Sequence, residues 1–530
     1  MIKNQEFNII KKVDFKKKYI KFALCYPNVY RAGISNYAIQ LIYRLLNNIE
    51  DIKCERFFFE KQKELISIET GAPLKSFDVI GFSIQYELDY FNIIKILKNS
   101  RIPILSKKRK KPLLIAGGPC VLENPVPLEQ IFDFFILGDI EPVFNDLLTL
   151  IRNFYKIEEK KFLKYKNMDG FYFPNIKSDK KIKNVKNIDL DSSYHSIKQV
   201  IPVNYKDKEI LGLGKSILIE CSRGCKGKCN FCLIGWQNNP FRKRSLSKIK
   251  DIINKSIKIN PVNKISLIGS GISYHKNLND IAWYVANLGF NLSIPSLRAD
   301  KFNDDLAKAL STSKIKQITF APETGSDRLR NIINKKMTNE DILQAIQIAF
   351  NNGIKWFKLY FIIDLPTETN QDLEAIPHLL KKILNIGINE RNLSISFNTF
   401  IPKPHTPFQW FGISNIDEIR KKIKFLKQNI DKNLRIRTSF SDPKWDRVQL
   451  FLSRGDIKIS ELLYTTLNYG SNLGAIRRIL KEQNLSFDQL NKKIIIEKPL
   501  PWDFIDVGIE KEKLYKIWFK IEAKIINLKN

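Results

Sequence analysis

From residue 214 onward the chain alternates short apolar runs with amphipathic helical stretches at near-constant spacing, and this regularity restricts the fold more than any other feature. The runs lie at 216–220, 264–268, 291–296, 316–320, 355–362 and 393–399, with helical patterns at 278–288, 338–351 and 373–386 among the stretches between them. Strands separated by helices pair in parallel, and six such units predict a partial (β/α)6 barrel over 214–434, with its reactive end at the carboxyl ends of the strands. Residues 1–155 repeat the alternation with runs at 19–25, 53–58, 77–84, 111–116 and 132–137 and helical patterns at 38–46 and 90–97. That part reads as a doubly wound, Rossmann-like α/β domain whose ligand faces the strand ends. Those ends carry Gln85-Tyr86-Glu87, Gly117-Gly118-Pro119-Cys120 and Gly138-Asp139. The glycines at 117 and 118 suit either close approach of a ligand or a tight turn. Between the two domains, 156–213 reads as a polar linker, with a hairpin expected at 170–174 and an exposed His195; 435–530 reads as a mostly helical C-terminal region.

Directly after the first barrel strand comes Cys225-Lys226-Gly227-Lys228-Cys229-Asn230-Phe231-Cys232. Three thiolates on one loop hold three irons of a [4Fe–4S] cluster and leave the fourth iron open for chemistry. Zinc would call for a further ligand pair, and the nearest histidines, His195 and His275, are remote in sequence. With 7 Cys in 530 residues, a disulfide scaffold is excluded and a reducing compartment is expected. Cys221 falls outside the spacing and reads as a small buried strand residue.

The three-cysteine spacing resembles the signature of the radical S-adenosylmethionine (SAM) superfamily. With Phe241-Arg242-Lys243-Arg244-Ser245, Pro322-Glu323-Thr324-Gly325-Ser326 and Pro402-Lys403-Pro404-His405-Thr406-Pro407, the chain resembles radical SAM proteins with a cobalamin-binding-type N-terminal domain. The resemblance implies a radical SAM barrel in which Cys225, Cys229 and Cys232 ligate the cluster and the open iron binds SAM. An electron then generates a 5′-deoxyadenosyl radical. It implies SAM contacts from Phe231, from Gly269-Ser270-Gly271 after the second strand, from Arg298 after the third, from Glu323, Gly325 and Ser326 after the fourth, and from Phe400 after the sixth. His405 is the histidine considered as a proton donor. A reductant of flavodoxin or ferredoxin type is implied as partner.

The resemblance admits cobalamin, yet no histidine precedes His195, so the DxHxxG cobalt ligand of some such domains is lacking. With cobalamin, methyl transfer is the expected outcome; without it, radical rearrangement of a small molecule or sulfur insertion remains. Methylthiotransferases carry a second cluster on three N-terminal cysteines, for which Cys25, Cys54 and Cys120 are the candidates. The net charge of +33, with basic runs at 11–12, 16–18, 107–111, 160–161 and 242–244, admits RNA as substrate or partner. No apolar run is long enough to span a bilayer, and a cytoplasmic protein without a membrane partner is expected.

Overall fold

The computed structural model describes residues 6–9, 19–60, 64–153, 165–176 and 178–529. The basic runs at 11–12, 16–18 and 160–161 lie outside them.

All five N-terminal runs form strands: β1 (Ile20–Tyr26), β2 (Ile52–Phe58), β3 (Val79–Ser83), β4 (Leu113–Gly117) and β5 (Phe134–Ile136). They pair in parallel in the order β2-β1-β3-β4-β5. Instead of a hairpin, the aromatic stretch supplies β6 (Phe171–Tyr172), which adds to the edge antiparallel to β5. Both sheet faces are apolar, as strands covered on two sides require. One face packs under α1 (Tyr37–Asn47) and α4 (Phe144–Asn153). The other lies under α2 (Tyr90–Asn99), and its core runs on into the C-terminal region.

The barrel strands are β7 (Ile217–Glu220), β8 (Lys264–Ile268), β9 (Asn291–Ser293), β10 (Gln317–Glu323), β11 (Trp356–Ile363) and β12 (Leu393–Thr399). A seventh, β13 (Arg437–Phe440), continues the curve beyond the six expected and pairs in parallel with β12. One bridge, Leu297 to Phe320, joins β7-β8-β9 to β10-β11-β12-β13. Along β11 and β12 burial alternates. Phe357, Leu359, Phe361, Ile395 and Phe397 join the buried core, while Lys358, Tyr360, Ser394 and Ser396 on the opposite face stay half-buried. Residues two apart share a face, so these strands keep a polar, open side.

The 156–213 stretch is built into its neighbours. Ile182–Lys183 pairs with Ile505–Asp506, and Ile201–Pro202 pairs with Glu6–Phe7. His195, expected to be exposed, is buried at 6% exposure; its Nε2 accepts the Glu220 N–H at 3.0 Å and its ring lies 5.1 Å from Tyr37. It seals the junction of α1 with β7. At the other end of the chain, α11 (Pro443–Arg454), α12 (Ile457–Tyr469) and α13 (Leu473–Glu482) extend the core under α2. The last helix, α14 (Lys511–Lys529), buries Trp518 against Trp410 and Phe411 of the loop after β12, at ring separations of 6.2 and 6.0 Å. No helix among the described residues is long and apolar enough to cross a membrane.

Candidate functional site

The cysteine loop leaves the carboxyl end of β7. Its base is closed by a two-residue ladder in which Ser222 pairs with Lys243 and Arg223 with Arg242. Gly224 has φ +75°, and a side chain there would put a carbon 2.1 Å from the Asn238 carbonyl, so only glycine fits. The loop is then tied down by polar contacts. The Asn230 amide donates to Ile333 O at 2.9 Å, Asn334 Nδ2 to Lys228 O at 2.7 Å, and Trp236 Nε1 to Cys229 O at 2.8 Å. The short helix Asp327–Ile332 after β10 thereby sets the position of the loop.

The thiols meet a polar, cationic environment. The Gly227 N–H donates to Cys225 Sγ at 3.3 Å. Burial pushes the Cys229 thiol up to about 12, against the pull of Lys335 and Arg298. Burial also raises Cys232, opposed by the amides of Gly235 and Ile234. Backbone N–H groups and nearby cations are what thiolates bound to iron need, and ligation would supply the free energy of deprotonation. Among the described residues no three His, Cys, Asp or Glu side chains close on a single ion. Ligands of separate irons in a cube need not do so.

The neighbouring strand ends face this loop. Glu323, at φ +66°, ends β10 beyond an irregularity in its pairing, and Lys335 Nζ donates to it at 2.6 Å. Arg298 donates to Asp300 at 2.8 Å and lies over the Tyr274 ring, 5.5 Å from its centre. Gly269 and Gly271 are contact points for the cysteine loop, since added side-chain carbons would lie 2.4 Å from Ser222 Oγ and 2.9 Å from Cys225 Cα. Ser270 between them is exposed. Gly325 packs on the α9 (Asn370–Leu384) backbone, where an added carbon would lie 2.3 Å from Ile376 N, and Ser326 caps the following helix and donates to Asp372. Phe231 is half-buried, and Phe400 is buried edge-on to Phe408. His405 does not join this group. It is buried beside Trp502 and held down to about 3 by burial, hence neutral.

On the N-terminal side, a cavity of about 360 Å³ lies between the sheet and helices α1 and α4. Its floor is apolar, including Phe22, Leu24 and Leu41, and its rim is formed by Ser83, Gly117, Gly138, Asp139 and Glu141. The size falls within the roughly 300–1,000 Å³ of small-molecule sites, and the strand ends are where such sheets bind ligands. Gly117 lines the cavity, while Gly118, at φ +111°, turns the chain against the Ile84 backbone. Glu220 and Arg223 close the cavity from the barrel side. Arg223 donates to Glu141 at 2.6 and 3.0 Å and to Glu220 at 2.7 Å, two residues before Cys225. The three N-terminal cysteines do not converge: Cys25 and Cys120 lie in the core under α2, and Cys54 in the core on the opposite face.

A second polar cluster joins all three parts of the chain. Lys403, after β12, donates to Glu87 and, at 3.3 Å, to Glu123; Gln449 and Ser453 of α11 donate to Glu87 at 2.9 Å and to Glu123 at 2.5 Å. Burial pushes the Glu123 carboxyl up to about 8, and the charge of Glu87 adds to the rise. Glu87 and Lys403 were visible at strand ends in sequence. Their pairing was not, because 316 residues separate them.

Family models match in two places: residues 38–174 fit the N-terminal domain of radical SAM proteins and 219–380 the radical SAM superfamily. An uncharacterised protein of Methanocaldococcus jannaschii is 34% identical over 460 residues, covering 86% of this chain and 93% of the relative. A tRNA-2-methylthio-N(6)-dimethylallyladenosine synthase of Pelagibacter ubique is 23% identical over 359 residues, 63% of this chain and 69% of that protein. The radical SAM methyltransferase TsrM of Kitasatospora setae, solved with tryptophan substrate and a SAM analogue, shares the fold. Its TM-score is 0.56 at 12% identity, over 88% of this chain and 100% of that one.

Proposed function

Because the chain belongs to the radical SAM superfamily, we propose that this enzyme binds a [4Fe–4S] cluster through Cys225, Cys229 and Cys232 and modifies a substrate held between the barrel mouth and the first sheet. The observation that carries the reading is the cysteine loop, fixed by backbone and side-chain hydrogen bonds at the carboxyl end of the first barrel strand. When bound, the cluster and SAM supply a 5′-deoxyadenosyl radical that takes a hydrogen atom from the substrate. The chain's own part is to orient. Glu323 and Arg298 offer a carboxylate and a guanidinium to the polar groups of SAM, each held by a partner, Lys335 and Asp300. Gly269 and Gly271 let the loop after β8 close on the cysteine loop, and Gly325 and Ser326 hold the end of β10 against α9.

The cavity under the first sheet supports cobalamin as a second cofactor. Its apolar floor and glycine-containing rim fit a nucleotide tail entering between sheet and helices. His195, first of the histidines in the chain, is engaged by Glu220, so cobalt would carry no histidine from this domain. Cobalamin, when bound, supplies a methyl carrier, which makes methylation the favoured outcome. The opposite faces occupied by Cys54 and by Cys25 with Cys120 argue against a second cluster and thus against sulfur insertion.

The test is anaerobic reconstitution with iron and sulfide, then incubation with SAM, dithionite and hydroxocobalamin. 5′-Deoxyadenosine together with stoichiometric bound corrinoid is expected. Deoxyadenosine without corrinoid would remove cobalamin from the reading, and a protein that takes up no cluster would overturn it. RNA is the second reading for the substrate, favoured by the net charge of +33. It predicts a modified nucleoside in RNA incubated with the reconstituted enzyme.

A further inference from the structure

The basic residues of this chain are not equally available. In the runs at 107–111 and 242–244, Arg109 is buried and donates to the Ile131 carbonyl and Asp133, Arg242 pairs with Asp139, and Arg244 is fully buried against Glu220 and the Leu190 carbonyl. Around the cysteine loop the opposite holds: Lys226, Lys243, Lys276 and Lys513 are exposed. They come from the loop itself, from the strand that closes its base, from the turn after β8 and from α14, yet Lys243 lies within electrostatic reach of Lys226 and Lys276. Lys513 likewise faces Lys228.

The acids nearby are engaged elsewhere. Asp139 is paired with Arg242 and Arg223, Asp191 accepts the Ser245 amide at 2.8 Å, and Asp506 accepts the Gly508 amide at 2.7 Å. Like charges brought together without counter-charges cost free energy, which a negatively charged partner recovers. The collar also lies one hydrogen bond from the cluster ligands, because the amide following Lys226 donates to Cys225 Sγ at 3.3 Å. A nucleic acid would need a base directed into the barrel. An electron needs only a short path to the sulfur, and this surface offers one.

We propose that Lys226, Lys243 and Lys276, with Lys513 at the margin, form the docking surface for a small acidic one-electron carrier protein that reduces the cluster. The inference rests on the radical SAM reading above, and two measurements separate the two. The first is binding of an acidic flavodoxin, followed by fluorescence anisotropy across a salt series. The second is deoxyadenosine formation by the cluster-loaded enzyme, driven either by photoreduced flavodoxin or by dithionite. The triple variant Lys226→Glu, Lys243→Glu, Lys276→Glu should bind flavodoxin at least about tenfold more weakly at low salt and lose the salt dependence, while dithionite-driven turnover is unchanged. Equal binding by variant and wild type, or wild-type binding insensitive to salt, overturns the docking surface. The same holds if the variant loses affinity only for a labelled mixed-sequence RNA. Absence of dithionite-driven turnover in the wild type would instead count against the enzyme reading, with the binding arm still deciding the docking.

Discussion

The cysteine loop and the Glu87–Lys403–Glu123 cluster both lie where strand ends of the two α/β parts face each other, but they are built by different means. The loop returns to its own base within 20 residues, at the ladder of Ser222–Arg223 with Arg242–Lys243, and is shaped by backbone and glycine contacts. The cluster gathers Glu87, Glu123, Lys403, Gln449 and Ser453 from four distant stretches and holds them by charge in a buried space. A site made of backbone tolerates loss of its functional side chains. A site made of buried charge does not, because each group is stable only through the others.

The largest effect expected is on the loop's ligands. Replacing Cys225, Cys229 and Cys232 together by alanine should lower the iron content of the reconstituted protein from about four per chain to none while leaving the circular dichroism spectrum and urea midpoint nearly unchanged. Replacing Cys25, Cys54 and Cys120 by serine should leave those four irons in place; a fall in iron would reinstate a second cluster. The opposite pattern is expected of the clamp. Lys403→Met leaves Glu87 and Glu123 facing each other without a cation and should cost about 3–5 kcal/mol in urea unfolding. Adding Glu87→Gln and Glu123→Gln should recover most of that loss. If Lys403→Met alone unfolds no more easily than wild type, the distinction between the two regions fails.

Gly271→Ala separates packing from ligation. The added carbon would fall 2.9 Å from Cys225 Cα and from the Gly224 carbonyl, so the loop must move. Overpacking of this kind costs about 1–3 kcal/mol, and here it should appear as cluster lost on gel filtration, with the three cysteines still present. Retention of the full iron content would mean that the loop after β8 does not support the cysteine loop.

What could be read in the sequence follows the same division. Strand–helix alternation located all the barrel strands but β13, whose four residues alternate exposed with half-buried positions and are preceded by charged, helix-like sequence. The cysteine motif was legible because its ligands lie within eight residues. His195 was misread since a polar neighbourhood in sequence says nothing about burial, which depends on Tyr37 and Glu220 coming from either side. Gly269, Gly271 and Gly325 were placed near SAM by analogy of position. The close approaches that make them glycines are tertiary contacts with Ser222, Cys225 and Ile376. Equally, Lys403 stood in a recognisable motif, but a motif does not reveal that two carboxylates share one ammonium.

That imbalance of charge has a pH signature. Glu123 titrates at about 8 in the folded protein because burial and Glu87 disfavour its ionised form, whereas an unfolded glutamate titrates near about 4.3. Between those values the folded state holds a proton that the unfolded state has released, so stability falls as pH rises through this window and levels off above it. Glu87 acts in the other sense. Burial alone would raise its pKa, but Lys403 outweighs burial and lowers it, so its contribution is lost only as pH falls into the acid range. Glu123→Gln keeps an acceptor for Ser453 and removes the titration. Urea midpoints at pH 5.5 to 8 should decline by up to about 1.4 kcal/mol per pH unit in the wild type and stay flatter in the variant. Parallel declines would show that Glu123 is ionised throughout, with Lys403 compensating both carboxylates, and the clamp would then be a charge triad holding no proton.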